Sequence, residues 1–208
     1  MNSRNVILIV IVAAILLLGG CGCGGYNSMV SLDENVKNKW ANVQSDYQRR
    51  ADLIPNLVNT VKGAANFEQE TLTRVIEARA KATSVNINAG DLSPEKLAQF
   101  QQAQGELSGA LSRLLVSVER YPELKANQNF LDLQKQLEGT ENRIKVSRND
   151  FNMSVQAYNQ VVRKFPNNLM AGMFGFAVRQ PFQADAGAQT APTVDFNNTN
   201  NAKPDTAR

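Results

Sequence analysis

The sequence predicts an all-α fold: an elongated antiparallel bundle of three to four long helices with coiled-coil-like packing, preceded by an N-terminal hydrophobic anchor. Two features of the sequence predict it. Apolar residues recur at alternating steps of three and four through much of residues 33–165, which is the spacing of a coiled-coil seam. The first 25 residues contain an apolar run and then a cluster of glycines, which is typical of a membrane-directed segment.

The composition of the 208-residue chain argues against several classes of function. The formal net charge of +3 comes from interleaved basic and acidic residues, so the basic stripe that binds phosphates is missing and no nucleic-acid binding is predicted. The chain has no His, which is the commonest metal ligand and general base. We therefore predict no metal site, no cofactor and no catalytic residue.

Residues 1–25 are compatible with two kinds of membrane anchor. The run Val6–Leu18 has the length of a signal-peptide core, and the segment Leu18–Cys21 resembles a bacterial lipobox, in which Cys21 would be lipidated. No charge occurs between Arg4 and Asp33, so a transmembrane helix that continues through the glycines fits equally well. The flanking charges do not decide the side of the membrane, but a signal-like segment favours an extracytoplasmic, periplasmic-side body.

The first helix of the bundle is expected to begin near Asp33. Its apolar seam comprises Val36, Trp40, Val43, Tyr47, Ile54, Leu57 and Val61. Arg50 interrupts this seam, and a seam arginine must find a partner, for which Asp46 one turn earlier is the nearest candidate. Pro55 cannot donate to the Ala51 carbonyl, so we expect a kink at that position.

The next two predicted helices are delimited by local signals. The second covers Phe67 to about Ala82 and is followed by a polar loop. The third begins at Ser93, whose side chain caps the helix that Pro94 opens, and it ends before Pro122. Because these connections are short, neighbouring helices should be antiparallel.

The longest predicted helix extends from Asn127 to Phe165. Thr140, Ser147 and Ser154 occupy seam positions among its large apolar residues, and we expect their small side chains to leave room for bulky groups of another helix.

The region after Pro166 changes character. Leu169–Val178 is apolar but too short to cross a bilayer, so we predict a flap packed on the end of the bundle. We therefore assign residues 26–181 to the bundle and residues 182–208, which lack hydrophobic periodicity, to a disordered polar tail.

Two patterns that could signify catalysis have simpler interpretations. Ser93–Lys96 matches the S-x-x-K of penicillin-recognising enzymes, but the companion motifs are missing and a helix cap explains Ser93. Glu119, Glu138 and Glu141 could pair as acid and base. On helices rich in Lys and Arg, we interpret them as salt-bridge partners.

Several separate stretches of the sequence resemble the LemA family. They are Gln48–Val58, Glu119–Asn127 and Thr140–Ile144, followed by Arg148, Asn152, Tyr158, Asn159, Phe165 and Pro166. The resemblance implies a bacterial, membrane-anchored, mostly antiparallel helical bundle whose biochemical role is unsettled. Family members are generally described with an N-terminal transmembrane helix, whereas the surroundings of Cys21 keep the lipoprotein alternative open.

The matched polar residues are predicted to form an interaction or register network. They are Arg49, Arg50, Asp52, Asn56, Glu119, Tyr121, Lys125, Asn127, Glu141, Asn142 and Arg148. One interpretation is a hydrogen-bonded network that fixes the register of the helices. The other is a docking surface for an unidentified membrane or envelope protein, and the resemblance implies a membrane protease as one candidate.

The sequence therefore favours a non-enzymatic scaffold or adaptor over two alternatives. A hydrolase or transferase using carboxylates between the helices would have a concave polar pocket with two converging carboxyl groups of raised pKa. A purely structural envelope spacer would have no apolar or mixed surface patch. The oligomeric state is not predicted.

Overall fold

The computed structural model describes residues 3–64 and 67–183, with side chains from Gly24 onward. The helices are α1 (Ser3–Lys62), α2 (Gln69–Ser84), α3 (Pro94–Val118), α4 (Pro122–Lys125), α5 (Gln128–Arg163) and α6 (Asn167–Phe174). Since these two ranges contain helices and no strand, the predicted all-α class is confirmed.

The predicted start of the first helix near Asp33 is wrong, because α1 begins at Ser3 and joins the N-terminal segment to the bundle without a break. The side chains of the predicted anchor up to Cys23, Cys21 included, lie outside the described residues, as do residues 184–208 of the predicted tail. Among the residues that are described, no helix offers an apolar stretch of the length that a membrane crossing needs.

Four long helices, α1, α2, α3 and α5, form an antiparallel bundle. Lys39 pairs with Asp150 at 2.9 Å and Arg50 with Glu141 at 2.6 Å, so α1 and α5 run in opposite directions. Lys81 near the end of α2 pairs with Glu106 of α3, and Glu68 just before α2 pairs with Arg120 just after α3, so α2 and α3 are also antiparallel. The most extensive packing is that of α1 on α5, followed by that of α2 on α3.

The core consists of two apolar clusters stacked along the bundle. The Trp40 cluster has Trp40 in contact with the rings of Phe100, Phe151 and Phe182, at centroid distances of 5.3, 5.5 and 5.9 Å. The Leu107 cluster includes Ile54, Leu57, Val75, Leu107, Leu114 and Phe130. Burial of these side chains, at about 1.5 to 3 kcal/mol each, drives the assembly of the bundle.

Because α2 and α3 are shorter than α1 and α5, other segments cover the N-terminal half of the bundle. Ile87 of the loop between α2 and α3 packs into the Trp40 cluster, together with Ala171 of α6. Gly175 ends α6 in the left-handed region, with φ of 77°. Residues 175–183, which we call the strap, then run back along the bundle without forming a helix or a strand.

The predicted cap at Ser93 is confirmed, whereas the predicted start of the tail is wrong. Ser93 accepts a hydrogen bond from the Lys96 amide, and Asn127 accepts from the amides of Asn129 and Phe130. Phe182, the first residue of the predicted disordered tail, is 6% exposed in the Trp40 cluster. A single aromatic residue in such a segment leaves no periodic signal, which explains the error.

Candidate functional site

Arg50 is the centre of a polar layer between the two apolar clusters. Its side chain is 2% exposed, and Nη1 donates to Glu141 Oε1 at 2.6 Å and to Ser108 Oγ at 2.8 Å. Nη2 donates to the side-chain and main-chain oxygens of Gln104, at 2.5 and 3.3 Å. The predicted pairing with Asp46 is wrong, because the guanidinium points across the core to α3 and α5. A charge buried to this degree requires such partners.

The polar layer joins all four long helices. Gln104 of α3 donates from Nε2 to the Ala82 carbonyl at the end of α2, at 3.3 Å. Thr140 of α5 is 2% exposed and donates to the carbonyl of Gln136. A shift of any helix by one turn would place these polar groups against apolar neighbours, at a cost of about 1 to 3 kcal/mol for each unsatisfied group. The predicted role of these residues in fixing the register of the helices stays a prediction.

One atom of the layer is incompletely satisfied. Among the buried side-chain nitrogen and oxygen atoms of the described residues, Arg50 Nε alone lacks a hydrogen-bond partner. The guanidinium carbon lies 5.0 Å from the ring centroid of Tyr47, so the arginine also makes a cation–π contact at the edge of the Trp40 cluster.

A second polar contact compensates for Pro55. The helix α1 continues through this proline, which has no N–H to donate to the Ala51 carbonyl. Arg79 of α2 donates from Nε to that carbonyl at 2.8 Å. The site prediction missed Arg79, although its position on the apolar face of α2 was a signal that could have found it.

Three other residues of the predicted network lie on α1 near Pro55 and outside the polar layer. Asp52 accepts a hydrogen bond from Gln48 Nε2 at 2.8 Å on the exposed side of α1. The carbonyl of Asn56 accepts from Thr60 Oγ1 at 2.9 Å. Arg49 is exposed. At 3.6 residues per turn, these three residues lie within about 60° of one another on the helix. They therefore share the exposed face of α1, away from the buried Arg50.

The residues predicted near the start of α5 shape the corner between α3 and α5. Lys125 donates to Glu119 across the short helix α4, at 2.5 Å. The ring of Tyr121 packs on that of Phe67 at 4.9 Å, and Asn127 caps α5. An exposed ion pair contributes about 0 to 1 kcal/mol, so the cap and the ring contact are the stronger elements of this corner.

Two asparagines of α5 hold the strap. Asn159 accepts from the Arg179 amide at 2.9 Å and donates to the Arg179 carbonyl at 2.8 Å. Asn152 accepts from the Phe182 amide at 2.8 Å and donates to its carbonyl at 3.5 Å. Seven helical residues span about 10 Å, as do three extended residues, so the spacing of the two amides matches the strap.

Three further side chains fix the strap in place. Arg179 donates to Asp33 of α1 at 2.6 and 3.0 Å, with both side chains largely buried. Arg148 lies 4.8 Å over the ring of Phe182. Tyr158 donates to the Ala177 carbonyl at 3.0 Å, and its burial, together with the charge of Asp33, raises the pKa of its hydroxyl.

The residues of the predicted network are thus dispersed over the polar layer, the exposed face of α1, the corner, the strap and a groove. Asn142 is exposed and lines an open groove of about 460 Å³ between α3 and α5. The other groove residues are Ser108, Leu111, Ser112 and Leu115 of α3 and Gln134, Leu137, Glu138, Glu141 and Lys145 of α5. Within the described ranges, no group of three His, Cys, Asp or Glu side chains could hold a metal ion.

The carboxyl groups with a resolved pKa shift lie away from this groove. Hydrogen bonds from Arg120 and Thr71 lower the pKa of Glu68, and a hydrogen bond from Lys81 lowers the pKa of Glu106. Both shifts favour the ionised form, which is opposite to the shift that a general acid requires.

Comparison with known proteins agrees with the resemblance seen in the sequence. The chain is 26% identical over 186 residues to magnetosome protein MamQ 2 of Paramagnetospirillum magneticum, which covers 79% of this chain and 67% of the relative. It is also 26% identical to the MamQ of Magnetospirillum gryphiswaldense, over 73% of this chain and 62% of that protein. The third relative, Protein LemA of Metamycoplasma hominis, is 26% identical over 71% of this chain and 64% of its own length.

The chain thus spans about two thirds of the length of these relatives. The model of the LemA family matches residues 39–196, which include the polar layer, the groove and the strap. With most of its length matched in this way, the chain belongs to the LemA family.

Proposed function

We propose that this protein is a membrane-anchored, non-enzymatic scaffold or adaptor that binds a protein partner in the bacterial membrane or envelope. The observation that carries the proposal is the groove between α3 and α5. Its floor is formed by Leu111 and Leu137, which are buried, and by the half-buried Leu115, while its rims are polar and charged. An open surface with an apolar centre and a polar rim is suited to docking another protein. A purely structural spacer would not need it.

The arrangement of polar groups supports a non-enzymatic role. Glu141, on the rim of the groove, is bound by Arg50, and Glu138 accepts a hydrogen bond from Gln134 at 3.1 Å. A hydrolase or transferase would instead need carboxyl groups that converge on a substrate with a raised pKa. These contacts favour an adaptor.

Attachment to the membrane is supported by the sequence and by the continuity of α1. The apolar run Val6–Leu18 lies in the same helix as the bundle residues up to Lys62. A continuous helix would hold the groove at a defined height above the membrane, since each residue adds about 1.5 Å. We propose that the body is on the extracytoplasmic side.

Site-directed photo-cross-linking in the full chain tests the groove. A photoreactive amino acid would replace Ser112 or Lys145 in the groove, or Glu77 on the exposed side of α2 as the matched control. We expect the two groove positions to cross-link to one membrane or envelope protein, identified by mass spectrometry, and the control not to do so. A membrane protease is one candidate. Equal cross-linking at the three positions, or none, would overturn the proposal.

Intact mass and metabolic lipid labelling test the anchor. Loss of residues 1–20 together with a lipid adduct that Cys21→Ser abolishes and Cys23→Ser retains would establish a lipoprotein. An uncleaved chain that stays in the membrane fraction would establish a transmembrane helix. Recovery of both the unaltered chain and the Cys21→Ser variant outside the membrane fraction would refute membrane attachment.

A further inference from the structure

The end of the bundle nearest the N-terminus carries an exposed apolar surface, which we call the end patch. Its members and their exposed fractions are Phe165 81%, Leu169 61%, Met173 78%, Phe174 54% and Val178 51%. Leu169 and Met173 are one turn apart on the same face of α6. Isolated exposed apolar residues are ordinary, but a group of large ones on one surface indicates an interaction site.

The end patch lies at a defined level of α1. The ring of Tyr26 contacts those of Phe174 and Phe176 at 5.0 and 5.7 Å. Next to it, α6 approaches α1 so closely that a Cβ at Gly25 would collide with the side-chain oxygen of Asn167. The patch is therefore beside residues 25–26 of α1.

This level is close to either of the two possible anchors. Because α1 is helical from Ser3, Leu18 at the end of the apolar run is about 12 Å along the axis from Tyr26. Cys21, the candidate for lipidation, is about 8 Å away by the same rise per residue. With a transmembrane helix or with a lipid on Cys21, the end patch would be at the surface of the bilayer.

The charges around the end patch have one sign. Within residues 24–32 and 163–178, the only charged side chains are those of Arg163 and Lys164, both exposed and adjacent to Phe165. The first carboxylate along α1 is that of Asp33, about 10 Å beyond Tyr26. It is already paired with Arg179. An apolar surface flanked by cations and free of nearby acids complements an anionic lipid surface.

We infer that the end patch is a membrane-contact surface that places α6 in the interfacial layer of an anionic phospholipid bilayer. Leu169 and Met173 insert below the headgroups, while Arg163 and Lys164 contact the phosphates. The inference rests on the proposed membrane attachment and adds a second contact to it. This contact prevents the bundle from tilting freely about its anchor.

Depth-dependent fluorescence quenching in the full chain tests this contact. An environment-sensitive fluorescent amino acid would replace Met173, or Val116 as the control, in a chain with its cysteines unchanged. Val116 is 71% exposed and lies near the opposite end of the bundle, roughly 50 Å away at 1.5 Å per residue. The chain would be reconstituted in vesicles of phosphatidylethanolamine and phosphatidylglycerol that contain spin-labelled lipid.

We expect quenching and a blue shift at position 173 and neither at position 116. The pair of changes Arg163→Gln and Lys164→Gln should reduce the quenching in these vesicles and have little effect in vesicles of phosphatidylcholine alone. Both residues are exposed, so the fold should tolerate the changes.

Flotation of the same samples separates the two proposals. If the chain floats with the vesicles but the probe at position 173 is not quenched, the end patch does not contact lipid and the anchor stands. A probe shielded from water only at high protein concentration would mean that a second copy covers the patch. If the chain does not float, the proposed attachment fails and this inference fails with it.

Discussion

Arg50 and Glu141 form an ion pair that starts in the core and ends at the surface. The distance from Nη1 to Oε1 is 2.6 Å, while the two side chains are 2% and 39% exposed. The carboxylate thus neutralises a buried guanidinium and keeps its own access to water. Because the other partners of Arg50, Ser108 and Gln104, are neutral, Glu141 supplies the only negative charge among the partners of this guanidinium.

Removal of this carboxylate should destabilise the bundle more than removal of its neighbour. We expect Glu141→Ala to lower the free energy of unfolding by about 2 to 3 kcal/mol, because a buried charge loses its counter-ion. Glu138→Ala, one turn away on the exposed rim, should change it by less than about 0.5 kcal/mol. Urea denaturation of the full chain in detergent, followed by circular dichroism, measures both. Equal effects would mean that the buried pair does not stabilise the fold.

The contact between Arg79 and Ala51 should matter only while residue 55 is a proline. Arg79→Met leaves the Ala51 carbonyl without a donor and should lower stability by about 1 to 2 kcal/mol. In a Pro55→Ala background the new backbone N–H can bond to that carbonyl, so Arg79→Met should lower the free energy of unfolding by less. A double-mutant cycle should therefore give a coupling of about 1 kcal/mol. Strict additivity would show that Arg79 does not compensate for the proline.

Ser147 should not tolerate a larger side chain. It is 8% exposed in the α5 seam and donates to the Ile144 carbonyl at 3.2 Å. We expect Ser147→Leu to lower the free energy of unfolding by about 1 to 3 kcal/mol through overpacking. Val146→Leu, at a neighbouring position that is 62% exposed, is the control and should be nearly neutral. A higher melting temperature for Ser147→Leu would mean that the serine marks a void.

The sequence was sufficient to predict most of the helices because their limits depend on nearby residues. Ser93 and Asn127 cap the helices that they precede, and Pro122 begins α4 just after α3 ends. The strap could not be predicted in this way. Its amides at Arg179 and Phe182 bond to side chains of α5, and a segment without alternation has no periodic signal.

The polar layer was predictable as an anomaly but not as a set of contacts. Arg50 stands out because a charge occupies a seam position, whereas its partner Glu141 is 91 residues away in the sequence. Which carboxylate reaches it depends on how α1 and α5 are aligned over their whole length. The local candidate, Asp46, satisfied the spacing rule for a helix surface, but the guanidinium is inside the bundle, where that rule does not apply.

The raised pKa of Tyr158 predicts a loss of stability at alkaline pH. In the unfolded chain the hydroxyl releases its proton near pH 10, before it does so in the folded protein, so the unfolded state binds fewer protons in this range. Stability should therefore fall as the pH rises above about 10, and the decline should be less steep in Tyr158→Phe. Hydrogen bonds to Glu34 and, to a smaller extent, to Asp33 also raise the pKa of Lys37, so this lysine contributes to the same decline in stability. The variant Lys37→Gln is the control for that contribution. If stability declines as steeply in Tyr158→Phe as in the unaltered chain, groups other than Tyr158 cause the alkaline loss of stability.

The asparagines of α5 should protect two specific amides of the strap from hydrogen exchange. We expect Asn159→Ala to accelerate exchange at the Arg179 amide and Asn152→Ala to accelerate it at the Phe182 amide, since each change removes the acceptor of one amide. The free energy that protects each amide should fall by about 1 kcal/mol. Asn159→Asp keeps an acceptor for the Arg179 amide but loses the donor to its carbonyl. Protection of that amide should then survive in the aspartate variant and disappear in the alanine variant. Hydrogen exchange of the full chain, resolved by mass spectrometry, measures this difference. Equal protection in both variants would mean that the strap is held by Phe182 and Arg179 alone.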